Sequence, residues 1–312
     1  MNTVLTPLRN ILESYYAIPF IALLSALMWP DQLAPIAPHG ALLISIIFFL
    51  SALKIDMTKV MHQFEDKTLL IMETLLMLVV YPAVVYFLAL EFIPHLALPL
   101  LILAAMPAGM TSPFLTELAG GRQSLALVVT VLTSLLAPLS IPLMIKLLAG
   151  ESVSVDYLSM MLSLAKVIII PFALAQIVKR YATPLILRTH VWYRSISVLL
   201  LGILIAGIVA KQAYAIMDGM TTGSTWWTLL IVTICFIGFH FLGYLAPFWR
   251  DKRDRITSAV CLSYMNFTLA VYLADKFFPD PSVVVPIVIT VIPWALMFVP
   301  FRFIVQKMII AR

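Results

Sequence analysis

The sequence contains little charge and almost no cysteine. Of its 312 residues, 11% are charged and 62% are hydrophobic, whereas about a quarter of the residues of an ordinary soluble domain are charged. The two cysteines, Cys235 and Cys261, lie inside apolar runs and form neither a disulfide framework nor a metal-binding CxxC pair. The composition therefore predicts an integral membrane protein.

The signatures of common enzymes are also absent. The sequence has no HExxH, GxGxxG, Walker or GxSxG motif. Ser163 and Lys166 match the short S-x-x-K pattern of Ser/Lys hydrolases, but two fixed positions arise often by chance and the companion motifs are missing. We therefore predict that the protein is not an enzyme.

The chain consists instead of long apolar runs separated by short charged or proline-rich breaks. A helix needs about 20 mostly apolar residues to cross the hydrocarbon core of a bilayer. The runs predict an all-α membrane protein with ten spanning helices. We place the spans at 11–29, 40–53, 68–90, 96–119, 123–148, 157–181, 195–215, 224–249, 256–274 and 282–306.

The basic residues are concentrated on one side of this arrangement. Sixteen of the twenty Lys and Arg residues fall in alternate turns and at the ends of the chain, and only Lys146, Lys211 and Lys276 fall on the opposite side. The positive-inside rule then places both termini in the cytoplasm, in a multi-pass protein of the cell or inner membrane. Because the charges occupy separate turns, they do not indicate a nucleic-acid partner.

The ten predicted spans divide into two sets of five, joined by the loop at 149–156. An odd number of crossings in each half inverts the second half relative to the first, which is the layout of many secondary transporters. We therefore predict two inverted five-helix repeats, at residues 1–150 and 151–312.

The fourth predicted span contains the unusual stretch MPAGMTSPFLTELAGG at 106–121. Pro107 and Pro113 each remove a backbone donor, and Thr111 and Ser112 offer hydroxyl groups between them. This pattern predicts an interruption deep in the membrane, whose freed oxygens can bind a cation or a substrate. The alternative is a simple proline kink capped by serine and threonine.

The ninth predicted span places Asn266 about ten residues, or roughly 15 Å, from its cytoplasmic end, close to the bilayer midplane. A polar amide at that depth needs a partner. Together with Ser263 and Thr268, Asn266 therefore predicts the second half of a binding site. An interhelical hydrogen bond that only holds the bundle together is the alternative.

Glu73 in the third predicted span is the main ionisable candidate, because a carboxyl group inside a membrane can be protonated or bind a cation. It is also close to the cytoplasmic end of its span, so snorkelling toward Lys67 or Lys59 is the alternative. The other candidates are Lys166 and His240, whereas Glu117, beside Arg122 and the cytoplasmic turn, is predicted to be a surface pair or a gate rather than a ligand.

These segments resemble the bile acid:sodium symporter family. The stretch MTSPFLTELAGGRQSLALVVTVLTSLLAPLSIPL is similar to the fourth and fifth helices of that family, and FFLSALKIDMTKV is similar to the end of its second helix and the following turn. The resemblance implies a panel domain of helices 1, 2, 6 and 7, and a core domain in which helices 4 and 9 are unwound and cross. It also implies alternating-access transport of a small organic anion, such as a bile acid-like steroid, a keto acid or a vitamin precursor.

The resemblance further implies sodium ligands at Ser112, Thr130 and the neighbourhood of Asn266. Cys261 stands where the family has a glutamate, so sodium is only one candidate for the coupling ion, and no other cofactor is expected. A proton- or potential-driven efflux carrier of the same fold superfamily and a membrane sensor without transport are the alternatives. The predicted substrate- and ion-binding residues are Thr111, Ser112, Thr130, Thr133, Ser263, Asn266, Thr268 and Glu73.

Overall fold

The computed structural model describes residues 17–55, 67–150, 153 and 155–310. Both ends of the chain, which we predict to be cytoplasmic, lie outside the described residues. The helices are α1 (Ala17–Met28), α2 (Pro30–Leu53), α3 (Lys67–Phe92), α4 (Ala97–Ala104), α5 (Ser112–Ala119), α6 (Gln123–Ala149), α7 (Tyr157–Tyr181), α8 (Thr183–Lys211), α9 (Ala213–Thr222), α10 (Ser224–Leu245), α11 (Lys252–Ser263), α12 (Phe267–Phe277), α13 (Pro281–Leu296) and α14 (Phe298–Ile310).

The described residues form an all-helical membrane protein. Six helices are long and apolar enough to cross a bilayer, namely α2, α3, α6, α7, most of α8 and α10. A seventh span results if α13 and α14, which are bent by 41°, are taken together. The predicted all-α membrane class is therefore confirmed. The first predicted span begins at residue 11, outside the described residues.

The second predicted span is confirmed, and the start of the seventh is wrong. We predicted the second span at 40–53, and the regular α-helical part of α2 is Gly40–Leu53, after a short helix at Pro30–Leu33 and a 3₁₀ turn at Ala34–His39. Pro30 and Pro35 lie in first turns, where a missing N–H group has no helical partner to lose, whereas Pro38 lies inside the 3₁₀ turn. We also predicted the seventh span from residue 195, but α8 begins at Thr183, so Arg194 lies on a helix rather than in a turn.

The fourth and ninth predicted spans are each divided. Helix α4 ends at Ala104 and α5 begins at Ser112, with Pro113 in its first turn. Helix α11 ends at Ser263 and α12 begins at Phe267, where the Asn266 side-chain oxygen accepts the Leu269 N–H at 3.1 Å. The predicted interruption of the fourth span, rather than a simple kink, is therefore confirmed.

Two sets of helix contacts surround these breaks. Helix α8 packs against α1 and α2, and α2 packs against α7, whereas α11 packs against α5, α6 and α10; the contact of α6 with α7 connects the two sets. The helices next to the breaks are the most deeply buried, and residues such as Leu101, Ala126 and Leu269 are fully inaccessible. The breaks are thus enclosed by protein, which is the condition for irregular backbone at membrane depth.

Candidate functional site

The two helix breaks meet and complete each other's backbone hydrogen bonds. The Gly109 N–H donates to the carbonyl oxygen of Tyr264 at 2.9 Å, and the Asn266 N–H donates to the carbonyl oxygen of Pro107 at 2.8 Å. Both bonds belong to a short antiparallel contact between the two breaks. Polar backbone groups without helical partners are costly in an apolar environment. Each break therefore supplies partners that the other needs.

Three predicted hydroxyl residues hold this crossing in place. Ser112 donates its hydroxyl to the Tyr264 carbonyl at 2.8 Å. Thr133 accepts the N–H of Ala108 at 3.2 Å. The hydroxyl of Thr130 lies 3.5 Å from a carbonyl oxygen of the α4–α5 break. Because all three are almost inaccessible to solvent, they fix the shape of the backbone at the crossing.

A cavity of about 320 Å³ lies beside the crossing, which is large enough for a small organic ligand. Four predicted site residues line it, namely Thr111, Thr130, Asn266 and Thr268. Most of the remaining wall is apolar and comes from α2, α6, α8 and α13. Its main members are Ile44, Ile47, Phe48, Leu127, Leu201, Ile205 and Trp294.

Two basic residues line the cavity. They are Lys54 and Arg194, and among the lining residues that the structure describes there is no Asp or Glu. The Arg194 guanidinium lies 4.8 Å from the centre of the Phe114 ring, a cation–π contact that holds it at the wall. Burial, and then the charge of Arg194, lower the pKa of Lys54 to about 8. Such a wall favours an anionic ligand.

The sequence analysis missed the two basic residues of this cavity. Lys54 and Arg194 were used only to predict orientation, because each follows or begins an apolar run. They are far apart in the chain, and only the packing of α2 against α8 brings them to one cavity. No local pattern in the sequence signals such a pair.

Ser263 and Glu73 do not line the cavity. Ser263 is fully buried at the end of α11, and its hydroxyl has no hydrogen-bond partner in the described part of the chain. Glu73 is 1% exposed and accepts a hydrogen bond from the Ser258 hydroxyl at 3.0 Å. It thus faces the protein rather than snorkelling toward Lys67, and the second proposed snorkelling partner, Lys59, lies outside the described residues.

Two weaker candidates take ordinary places. The His240 ring forms hydrogen bonds with the carbonyl oxygen of Phe236 at 2.9 Å and with the hydroxyl of Tyr264 at 3.1 Å. It therefore holds the side chain of a residue in the α11–α12 break. Lys166 is exposed on the surface of α7. Neither residue lines the cavity.

The predicted pair of Glu117 with Arg122 is wrong. Glu117 accepts a hydrogen bond from the Gln123 amide at 2.8 Å. Arg122 pairs with Asp254 on α11 at 2.8 Å, and Arg250 pairs with the same carboxylate at 2.9 Å. The buried carboxylate attracts both guanidinium groups because it has lost its hydration.

The crossing offers neutral oxygen atoms to a cation. Sodium is a hard cation that prefers oxygen ligands, ideally with a carboxylate among them. The proposed ligands Ser112, Thr130 and Asn266 are all neutral. Ser112 already donates to the Tyr264 carbonyl, and the Asn266 oxygen caps α12. In the described part of the chain, no three His, Cys, Asp or Glu side chains form a metal cluster.

Comparison with known proteins gives a match over nearly the whole chain. Residues 18–312 match the family model of the SBF-like CPA transporter family. The chain is 24% identical over 197 residues to the "Probable sodium/metabolite cotransporter BASS1, chloroplastic" of Oryza sativa subsp. japonica, covering 62% of this chain and 47% of that protein. It is 26% identical over 153 residues to the BASS5 cotransporter of Oryza sativa subsp. indica, covering 47% and 37%. The match thus spans less than half of the length of each relative.

Proposed function

The chain belongs to the SBF-like CPA transporter family, and we propose that it is a secondary transporter of a small organic anion that works by alternating access. The membership confirms the resemblance to the bile acid:sodium symporters, and it makes the chain a transporter rather than an enzyme. The observation that carries the proposed substrate class is the cavity at the crossing, whose described lining residues include two basic side chains and no acidic one.

The cavity also suggests how an anion would lie. Its charged group would face Lys54 and Arg194, and its apolar body would contact the wall formed by α2, α6 and α8. Asn266 and Thr268 would bind polar groups at the other end. A bile acid-like steroid, a keto acid or a vitamin precursor has this distribution of charge and apolar surface.

We propose ten membrane-crossing segments in two inverted repeats of five, at 1–150 and 151–312. Helices α1, α2, α7 and α8 would form the panel domain, and the helices around the breaks would form the core domain. The packing of α8 against α1 and α2, and of α7 against α2, supports the panel grouping. The substrate would be exposed to either side in turn as one domain rocks against the other.

The proposed binding residues are those that line or shape the crossing: Thr111, Ser112, Thr130, Thr133, Ser263, Asn266 and Thr268. We place the protein in the cell inner membrane with both termini in the cytoplasm. Lys54 and Arg194 then lie toward the cytoplasmic side, where basic residues are concentrated.

A second candidate is a carrier of the same fold superfamily that exports its substrate, driven by protons or by the membrane potential. The observation that favours it is the neutral character of the crossing, where Cys261 is fully buried and the proposed sodium ligands carry no charge. A sensor without transport has no specific feature in its favour.

Uptake into liposomes containing the purified protein tests the proposed function. A panel of organic anions, each paired with a neutral analogue of similar shape, would be offered with an inward sodium gradient, an inward proton gradient or neither. We expect saturable uptake of an anion and not of its neutral analogue. The proposal would be contradicted if the protein is folded by circular dichroism and its liposomes take up every anion no faster than protein-free liposomes do.

A further inference from the structure

Glu73 is a buried carboxyl group without a compensating positive charge. It and Asp254 are the two carboxyl groups buried to 1% exposure in the described part of the chain. Asp254 pairs with Arg122 and Arg250, whereas Glu73 forms no ion pair with a described residue. The Glu73 Oε2 accepts one hydrogen bond from Ser258 at 3.0 Å, and its Oε1 has no hydrogen-bond partner.

The surroundings of Glu73 favour a proton over a metal ion. Its titratable neighbours are Cys261 and Asp254, both on α11. Helix α6 also packs against α3 and has one titratable residue, Lys146, in its last turn at the end far from Arg122. A hard cation takes about six oxygen ligands. Here the described side chains offer one hydroxyl and a thiol, so a proton on Oε1 is the simplest way to neutralise the carboxylate.

The position of Glu73 connects it to the crossing. Its partner Ser258 lies on α11, which ends at Ser263, directly before the break. The next residue, Tyr264, accepts hydrogen bonds from Gly109 and Ser112 at the crossing. Immediately after the turn that carries Glu73, α3 widens into a π-helical segment at Leu76–Val80, a distortion that is frequent at functional sites.

We propose that Glu73 is the proton-binding site that couples transport to a proton gradient. The proton would pass from water to Oε1, where it removes the buried charge, and would return to water when movement of α11 against α3 hydrates the carboxyl group. Symport of one proton with a monoanion would then move no net charge. This inference rests on the proposed transport function, and the test below separates the two.

A hydrophobic carbodiimide provides the first readout, because it modifies a protonated carboxyl group in an apolar environment without needing a substrate. We expect labelling of the wild type and of Glu91→Gln, which changes an exposed carboxyl on the same helix. Labelling should fall to background in Glu73→Gln. Labelling of Glu73→Gln at the wild-type level would overturn the proposal, whether or not a transported anion is known.

Transport provides the second readout. The glutamine of Glu73→Gln mimics the protonated side chain. Liposomes that contain this variant should therefore exchange external for internal anion, but they should not accumulate the anion in response to a proton gradient. Accumulation as in the wild type would overturn the inference and leave the transport function intact. If neither the wild type nor the variant exchanges any anion, the proposed transport function is contradicted. The carbodiimide labelling then decides by itself whether Glu73 binds a proton.

Ser258→Ala keeps the inference falsifiable if Glu73→Gln does not fold. Ser258 donates to the carboxyl group, and a hydrogen bond to a carboxylate favours its charged form. Without it, the proton should be held more tightly, and carbodiimide labelling should persist to higher pH than in the wild type. An unchanged pH profile, or one displaced to lower pH, would contradict the proposed site.

Discussion

The amide nitrogen of Gly109 lies 2.9 Å from the carbonyl oxygen of Tyr264, and this contact joins two helix breaks that are more than 150 residues apart in the chain. A Cβ atom added at Gly109 would lie 2.6 Å from the same oxygen. Glycine is therefore required here by the close approach of two backbones. The crossing would have to open to accept any larger residue.

We expect Gly109→Ala to lower both transport and stability. The added methyl group meets backbone, which cannot move aside as a flexible side chain can, and overpacking of this kind costs about 1–3 kcal/mol. Gly238→Ala is the matched control, because nothing lies within 4 Å of the Cβ position at Gly238. Thermal unfolding and uptake of both variants in liposomes check the prediction. Wild-type behaviour of Gly109→Ala would mean that the breaks do not approach as described.

Affinity for the anion should fall as the pH rises through the pKa of Lys54. Burial and the charge of Arg194 lower that pKa to about 8, so Lys54 is mostly charged below this value and mostly neutral above it. Losing the charge removes an attraction of at most about 1 kcal/mol, or up to about fivefold in affinity.

Lys54→Arg tests the origin of this pH effect, because an arginine stays charged throughout the range. We expect its affinity to change less between about pH 7 and about pH 9 than that of the wild type. Lys54→Met should bind at neutral pH as weakly as the wild type binds at alkaline pH. The measurement is the apparent KM of uptake as a function of pH on the side of Lys54. A profile that is identical in all three proteins would contradict the role of this lysine.

Two polar contacts join α12 to α7 and α8. Lys211 on α8 pairs with Asp275 at 2.6 Å, and Lys276 donates to the Ser163 hydroxyl on α7 at 2.6 Å. Lys211 lies about 25 Å further along α8 than Arg194, at a rise of 1.5 Å per residue. These contacts join the two proposed domains on the proposed outer side.

We expect a cross-link between cysteines placed at 211 and 275 to block transport, because alternating access requires the outer side to open. Lys211 and Asp275 meet at the tips of their side chains, so a bifunctional methanethiosulfonate reagent is used to join the two cysteines in place of a direct disulfide. Uptake should fall on cross-linking and return on reduction, whereas either single cysteine variant should be insensitive to both treatments. Full transport after complete cross-linking would show that the two sides of this contact do not separate during the cycle.

The proposed orientation can be checked at two exposed positions. Thr222 ends α9 on the proposed outer side, and Arg188 lies near the start of α8 on the proposed cytoplasmic side. In intact cells, a membrane-impermeant thiol reagent should label Thr222→Cys directly and Arg188→Cys only after the membrane is opened. The opposite pattern would invert the topology.

The sequence was sufficient to predict the membrane class and the first helix break. Long apolar runs can form only helices in a bilayer, and Pro107 with Pro113 removes donors that a continuous helix needs. In α2, Pro30 lies in the first turn of a short helix and Pro35 and Pro38 lie in a 3₁₀ turn, and the predicted span begins after them at residue 40, as the regular helix does. A proline shows where a donor is missing, but not whether the chain continues as a helix beyond it.

The candidate site was less predictable than the fold. Asn266 was found because polar side chains are rare inside apolar runs, whereas Thr130 was implied by the resemblance to the bile acid:sodium symporters. Lys54 and Arg194 were not predicted as site residues, because the positive-inside rule already accounts for basic residues at the cytoplasmic ends of helices. The hydrogen bond of Glu73 to Ser258 depends on contact between α3 and α11, which no local pattern encodes.

The central claim is that the anion binds at the crossing of the two breaks, and uptake by variants of its polar residues tests it most directly. Ser112→Ala, Thr130→Ala and Asn266→Ala would be compared with Thr233→Ala, which removes a hydroxyl that bonds within α10. Since loss of the Asn266 cap costs about 1 kcal/mol, all four variants should fold. We expect lower uptake in the three crossing variants and wild-type uptake in the control. Wild-type uptake in all four would show that the anion does not bind at the crossing.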